Sequence, residues 1–251
     1  MTRTLDRRLY DRAVATLVSS WETIAGGSTG AAIQHLRGVT AAVFPNEPER
    51  SIYNNAVLDR DLGPEERGTA IEGIRAAYGE AGVGHYAAWV HESDAGTAAE
   101  LGSMGYAIAE STRVMGMQLG ATTQMPVVLA EIGPADWATY LGCLRHLGLS
   151  ETLLAGVDPE AFHVLAARLD GAVVATALGF DHDGDCGIFN MSTLEPARRQ
   201  GIATALTAHH LREAAERGCE TATLQSTPMA EGVYASLGFR DLGRFLEYTP
   251  G

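Results

Sequence analysis

Residues 198–204 read Arg198-Arg199-Gln200-Gly201-Ile202-Ala203-Thr204, a basic, glycine-bearing turn between a strand-like run and a helical one. A helix N-terminus carries unpaired backbone N–H groups and partial positive charge, and small residues let an anion approach that backbone. Neighbouring arginines add charge-assisted bonds. Taken alone, the stretch is either a phosphate cradle or an ordinary basic loop at the surface.

Downstream of it, Ile202, Ala205, Ala208, Leu211 and Ala215 recur at steps of three or four, the period of a buried helix face, until Gly218 stops the pattern. Upstream, His163 to Leu169 and Ala172 to Phe180 read as strands joined by the hairpin turn Asp170-Gly171. After the break Asp181-His182-Asp183-Gly184-Asp185, a third strand is predicted from Cys186 to Thr193. Beyond the helix come a strand over Thr221 to Gln225, a short helix around Ala230 to Leu237 and a final strand over Arg244 to Tyr248. The order predicts an α/β (α+β) unit whose mixed, mostly antiparallel central sheet is flanked by helices.

A second feature is Ala230-Glu231-Gly232-Val233-Tyr234-Ala235-Ser236-Leu237-Gly238-Phe239. By itself, Tyr234 is an amphipathic side chain suited to a core margin, with its hydroxyl on a neighbour or water. At this separation and in this order of strand and helix, the two features resemble the GNAT superfamily of acyl-CoA-dependent N-acetyltransferases. Arg198, Gly201 and Ala203 match the family's pyrophosphate loop, and Tyr234, Gly238 and Phe239 match its later Tyr-x-x-x-Gly-Phe.

That resemblance implies acetyl-CoA as co-substrate and no metal. Backbone amides of Arg199, Gln200, Gly201, Ile202, Ala203 and Thr204 would bind the pyrophosphate beside Arg198. Met191, Ser192 and Thr193 would pair with the pantetheine arm as an added strand would. Tyr234 would protonate the leaving thiolate after direct attack by a neutral amine. Thr227 stands where the family often has Asn, and Glu195 followed by Pro196 where it often has Pro. No general base is evident: Asn190 lies on the strand where some members carry a carboxylate but cannot take a proton, and His182, Asp183 and Glu247 are the other candidates.

The chain also repeats itself weakly. A shift of 133 positions (201 − 68) puts Gly68 on Gly201, Ala70 on Ala203, Gly105 on Gly238 and Tyr106 on Phe239. In that register Glu65-Glu66 replace Arg198-Arg199 and Leu101 replaces Tyr234, so the first copy is expected to lack a CoA site. An amphipathic helix is predicted from about Thr4 to Ala25, and breakers between Gly120 and Pro126 precede Val127-Val128-Leu129, read as a new strand. The expected domains are therefore residues 1–124, a degenerate copy, and 125–251, a catalytic one.

Composition narrows the partners. All 18 basic residues are arginine, against 31 Asp and Glu, for a formal net charge of −13. Residues 1–125 carry 10 Arg against 15 Asp and Glu, about −5, so a nucleic-acid footprint is not expected in either half. The acidic field suits a small cationic amine, a metabolite or antibiotic, as acceptor. Three dispersed cysteines, the lack of a long apolar run and the lack of a signal-like N-terminus lead to the expectation of a cytoplasmic protein without membrane partners, monomeric or homodimeric. A silent CoA-binding or sensor module with the same fold is the alternative function. Adjacent His209-His210 lack ligand spacing, and Asp181 to Asp185 lacks a calcium loop's distal glutamate. Asn54-Asn55 is taken as structural.

Overall fold

The computed structural model describes residues 2–49, 51, 53–120, 126–146 and 153–251. In chain order the first elements are helix α1 (Thr2–Gly26), strands β1 (Ala32–Leu36), β2 (Val39–Val43) and β3 (Asn55–Leu58), helix α2 (Pro64–Glu80), strand β4 (Ala87–His91), helix α3 (Ala95–Ser103) and strand β5 (Tyr106–Gln118). Next come β6 (Glu131–Pro134), α4 (Trp137–His146), β7 (His163–Leu169), β8 (Ala172–His182) and β9 (Asp185–Thr193). Helix α5 (Ile202–Glu216), β10 (Thr221–Ser226), α6 (Glu231–Ser236) and β11 (Arg240–Pro250) complete the fold.

Tertiary contacts gather the chain into two compact units, one of residues 1–20 with 114–242 and the other of 21–113 with 243–251. They are called the C-terminal and N-terminal units below. The expected boundary near residue 125 falls on residues outside the described ones.

In the C-terminal unit the strand order is β5-β10-β9-β8-β7-β6. The meander β6 to β9 is antiparallel and β9 pairs with β10 in parallel. Asp170 and Gly171 both take positive φ, 48° and 79°, as a two-residue hairpin turn of this hand requires. The next turn is tighter than predicted: Asp183 and Gly184 form it at φ 46° and 74°, and β8 continues through His182. Val127-Val128-Leu129, by contrast, is not a strand. The ladder begins at Glu131, opposite Arg168, while Val127 and Leu129 stand 100% and 93% exposed with no neighbouring strand to pair them.

The buried face of α5 carries Ile202, Ala205, Leu206, Ala208, Leu211 and Ala214, so its apolar stripe is as predicted except that Ala214, not Ala215, closes it. Residues 2–20 of α1 are anchored in this unit by a buried carboxylate. Asp185 accepts hydrogen bonds from the hydroxyls of Thr16 (2.7 Å), Thr221 (2.6 Å) and Thr223 (2.6 Å), which satisfies a charge that would otherwise be costly to bury. Beside it, Gly187 lets the helix come close: a Cβ there would stand 2.8 Å from the Thr16 methyl.

The N-terminal unit has the strand order β1-β2-β3-β4-β11, with β3 and β4 parallel and the other pairs antiparallel. Its core gathers Val39, Leu58, Ile71, Ile74, Tyr78, Val90, Leu101 and Tyr106. Asn54 is structural, as expected: its carboxamide accepts from the Phe44 N–H (2.7 Å) and donates to the Glu47 carbonyl (2.8 Å). Adding 133 to β1, β2 and β3 places them on residues 165–169, 172–176 and 188–191, inside β7, β8 and β9. The same shift puts α3 over α6 and β5 over β11, and the paired Gly105 and Gly238 share left-handed φ values of 89° and 98°. The weak repeat in the sequence is thus a repeat of structure.

Candidate functional site

Where β9 meets β10 the sheet opens. Their parallel register runs only from Asp185 opposite Thr221 to Gly187 opposite Thr223, yet β9 continues to Thr193 and β10 to Ser226. Met191, Ser192 and Thr193 lie on this extension, half-buried. A strand edge that leaves its neighbour presents N–H and C=O groups to an extended ligand, as in strand addition.

A short helical turn, Glu195–Ala197, leads from β9 to the basic loop. Arg198 donates from Nε to the Thr193 carbonyl (3.0 Å), which ties the loop to the end of β9. Arg199 and Gly201 both take positive φ, 64° and 77°, and Gly201 is the N-cap of α5. No side chain caps this helix start. The first turn of any α-helix leaves its N–H groups without intrahelical acceptors, and here those of Ile202, Ala203 and Thr204 are among them. The loop is crowded on one side by Val128, whose methyl would lie 3.4 Å from a Cβ at Gly201. The residues from Arg198 to Thr204 therefore fit an anion held on backbone amides, the chemistry a pyrophosphate needs.

Tyr234 lies on α6, 6% exposed, with its ring edge-on to Phe239 at 5.8 Å. Burial raises its phenol to about 12, so the hydroxyl keeps its proton at neutral pH and is available as a donor. No partner among the described residues takes that hydroxyl. Thr227 is exposed in the loop between β10 and α6, where its carbonyl accepts from the Ala230 N–H at 3.0 Å.

One part of the site escaped the sequence reading. Between the pairs Leu178–Phe189 and Thr176–Ser192, Ala177 alone faces Asn190 and Met191, which makes a β-bulge in β9. Asn190 takes a left-handed φ of 49° there and donates from Nδ2 to the Tyr140 hydroxyl at 2.8 Å. Tyr140, on α4, is fully buried beside Trp137, with ring centroids 5.1 Å apart. Ser192, next on the strand but one, contacts the hydroxyl of Thr176 at 3.2 Å and the thiol of Cys143 at 3.5 Å. The only sequence signal for the bulge was an asparagine inside a strand, a residue type that tolerates the left-handed region.

The candidate bases are scattered. His182 and Asp183 sit at the β8–β9 turn, at the other end of β9 from the opening, and pair weakly with each other at 3.7 Å. Glu247 lies on β11 in the N-terminal unit, where burial raises its carboxyl to about 7 despite a hydrogen bond from Thr112 (3.1 Å). His210 is buried on the Ala177 carbonyl at 3.3 Å, while His209 faces Arg212. Among the described residues no group of His, Cys, Asp or Glu could hold a metal, and no helix is long and apolar enough to cross a membrane.

This geometry agrees with the comparisons. Residues 131–239 match the model of the acetyltransferase (GNAT) family. Fold and motif are thus those of the GNAT acetyltransferases over that segment of the chain. No curated protein matches the chain. Among solved structures, a GCN5-related N-acetyltransferase from Kribbella flavida is 20% identical with a TM-score of 0.71, covering 94% of this chain and 95% of its own. A GCN5-related N-acetyltransferase from Sphaerobacter thermophilus is 16% identical, with a TM-score of 0.61 over 84% of this chain and 76% of its own. A tandem GNAT protein from the clavulanic acid biosynthesis pathway is 14% identical, with a TM-score of 0.61 over 95% and 94%. At these identities the likeness is one of fold.

Proposed function

We propose that the C-terminal unit binds acetyl-CoA along the free edge of β9 and the start of α5, and transfers the acetyl group to the primary amine of a small cationic molecule. The observation that carries this reading is the opening itself: β9 runs six residues past Gly187, its last partner of β10, and ends beside a helix start that no side chain caps. An extended arm with a pyrophosphate at one end suits both features at once.

In this reading the backbone amides from Arg199 to Thr204 hold the pyrophosphate, with Arg198 bracing the loop, and Met191, Ser192 and Thr193 align the pantetheine arm. Thr227 contributes a polar contact across the opening. The neutral amine attacks the thioester carbonyl, a C–N bond forms and the C–S bond breaks. Tyr234 gives its proton to the departing sulfur, and the extra proton on the attacking nitrogen passes to water. The strongly acidic chain, −13 overall, would draw a cationic acceptor and repel nucleic acid. We assign no CoA site to the N-terminal unit, and take the working form to be a cytoplasmic monomer or homodimer.

Calorimetric titration with acetyl-CoA tests the first half of the reading, with Gly201→Glu as control. One site per chain, lost in the variant, is the expected result; two sites would restore a CoA function to the N-terminal unit, and no binding would sink the proposal. Thiol release with a panel of primary amines tests the second half. Binding without release for any amine would make the protein a CoA-binding module rather than an enzyme.

A further inference from the structure

The bulge in β9, at Asn190 and Met191, occurs on the stretch of strand that has already left β10, where Met191, Ser192 and Thr193 are half-buried. An extra residue in a ladder leaves backbone groups out of the pairing and re-aims the strand. Here the extra residue takes the left-handed φ of 49° at Asn190, a conformation that asparagine tolerates but does not require. A side-chain contact fixes it there. The Asn190 amide donates to the hydroxyl of Tyr140, 50 residues earlier on α4, and that tyrosine is immobilised by complete burial against Trp137. Tyr140 thus ties the bulge to helix α4, beside the second contact that α4 makes with this strand through Cys143 and Ser192.

We infer that Tyr140 and Asn190 form a latch that fixes the backbone at Asn190–Met191 in the orientation acetyl transfer requires, as positioning residues that act through the main chain. The inference rests on the proposed acetyl-CoA site and adds a requirement to it. A backbone N–H freed by the bulge, on the edge assigned to the pantetheine arm, is a preorganised donor for the carbonyl oxygen as it gains negative charge. Such a donor is worth most when it cannot turn away, and the latch is what prevents the peptide from returning to the ladder. Neither side chain needs to touch the reacting atoms.

The test compares Tyr140→Phe, Asn190→Gly and the double variant in the full chain. Asn190→Gly keeps access to the left-handed backbone but loses the amide, whereas Tyr140→Phe loses only the hydroxyl. Each is expected to lower the rate of thiol release from acetyl-CoA with an accepted amine by about 10- to 100-fold, as misplacement of a reacting group does, while acetyl-CoA affinity by calorimetry moves by about twofold or less. The double variant should be no slower than the worse single variant, because both remove one link. Amide hydrogen exchange in the peptide covering residues 188–193 should accelerate in every variant. Rates within about twofold of wild type, effects that multiply in the double variant, or equal losses in affinity and rate would overturn the latch. A wild-type chain that binds no acetyl-CoA, or releases no thiol, would instead overturn the proposed function, and the positioning role with it, whatever the exchange data showed.

Discussion

The two units share a run of three strands, helix, strand and helix (β1 to α3 and β7 to α6), but they finish the parallel strand pair in opposite ways. In the N-terminal unit β3 ends at Leu58, one residue beyond its last pairing with β4 at Val57 and Trp89, and its register against β2 runs without a bulge. In the C-terminal unit β9 runs on past β10 and bulges at Asn190. The helices that follow differ in the same sense. Helix α2 closes its own N-terminus: Glu66 accepts from the Gly63 N–H at 3.1 Å, where a carboxylate complements the helix dipole. Helix α5 starts from Gly201 without any such partner. At the position of Tyr234 the first copy has Leu101, with no exposed surface at all. On the proposed reading, binding capacity depends on how far one strand outruns its neighbour and on what caps the next helix.

Substitutions at equivalent positions break that comparison most directly. Gly201→Glu places a side chain and a negative charge at a left-handed residue against Val128, and should weaken acetyl-CoA binding by more than about 100-fold. Gly68→Glu, at the matching place in the first copy, meets open space and should leave the calorimetric titration unchanged. Next in size, Leu101→Ala should cost about 2–5 kcal/mol of stability in chemical denaturation with little change in acetyl-CoA affinity. Tyr234→Phe should do the reverse, lowering the transfer rate by about 10- to 100-fold with binding intact.

A smaller contrast is expected with pH, because the units carry buried groups of opposite behaviour. Burial lowers His210 in the C-terminal unit to about 3, so between that value and about 6.5 the unfolded chain binds the extra proton. Its contribution to stability therefore falls as pH falls, by about 2 kcal/mol between pH 6.5 and 5. Burial raises Glu247 in the N-terminal unit to about 7, so between about 4.5 and 7 the folded chain holds the extra proton. Its contribution falls as pH rises through that window, by about 1–2 kcal/mol once solvent access is allowed for. Urea unfolding at pH 5, 6 and 7 should show Glu247→Gln gaining on wild type toward pH 7, and His210→Gln gaining toward pH 5. Parallel curves would remove this contrast. Smallest of all, Glu66→Ala should cost about 0.5–1 kcal/mol through the lost cap and leave acetyl-CoA affinity unaltered; a second binding site appearing in that variant would show that the cap alone had closed the first copy.

Local physics explains what could be read in advance. The hairpin at Asp170-Gly171 and the buried face of α5 are written in turn residues and helical spacing, and both stand where the residues put them. The strand expected at Val127 to Leu129 failed because apolar character says nothing about whether a neighbour exists to pair with, and there the ladder starts only at Glu131. The final strand was read as Arg244 to Tyr248 but spans Arg240 to Pro250, since tertiary pairing extends a strand over residues of little intrinsic preference. The loop proposed to bind phosphate could be singled out because residues 198–204 are consecutive, and the structure shows an uncapped helix start there. The latch was not, because Tyr140 and Asn190 are 50 residues apart and neither is unusual alone.

The way the chain's ends are shared out bears on how it folds during synthesis. Phe245 pairs with His91, 154 positions earlier, and Thr16 bonds to Asp185, 169 positions later. The ribosome releases β4 long before the strand that flanks it, and α1 long before the carboxylate that anchors it. Neither unit can close its sheet or seat its helix while translation is under way, so both must reach their native pairing late and across long loops, which is the slow regime of folding. A cut between residues 113 and 114 would leave each fragment short of a piece held by the other, and neither half should survive as an independent expression product.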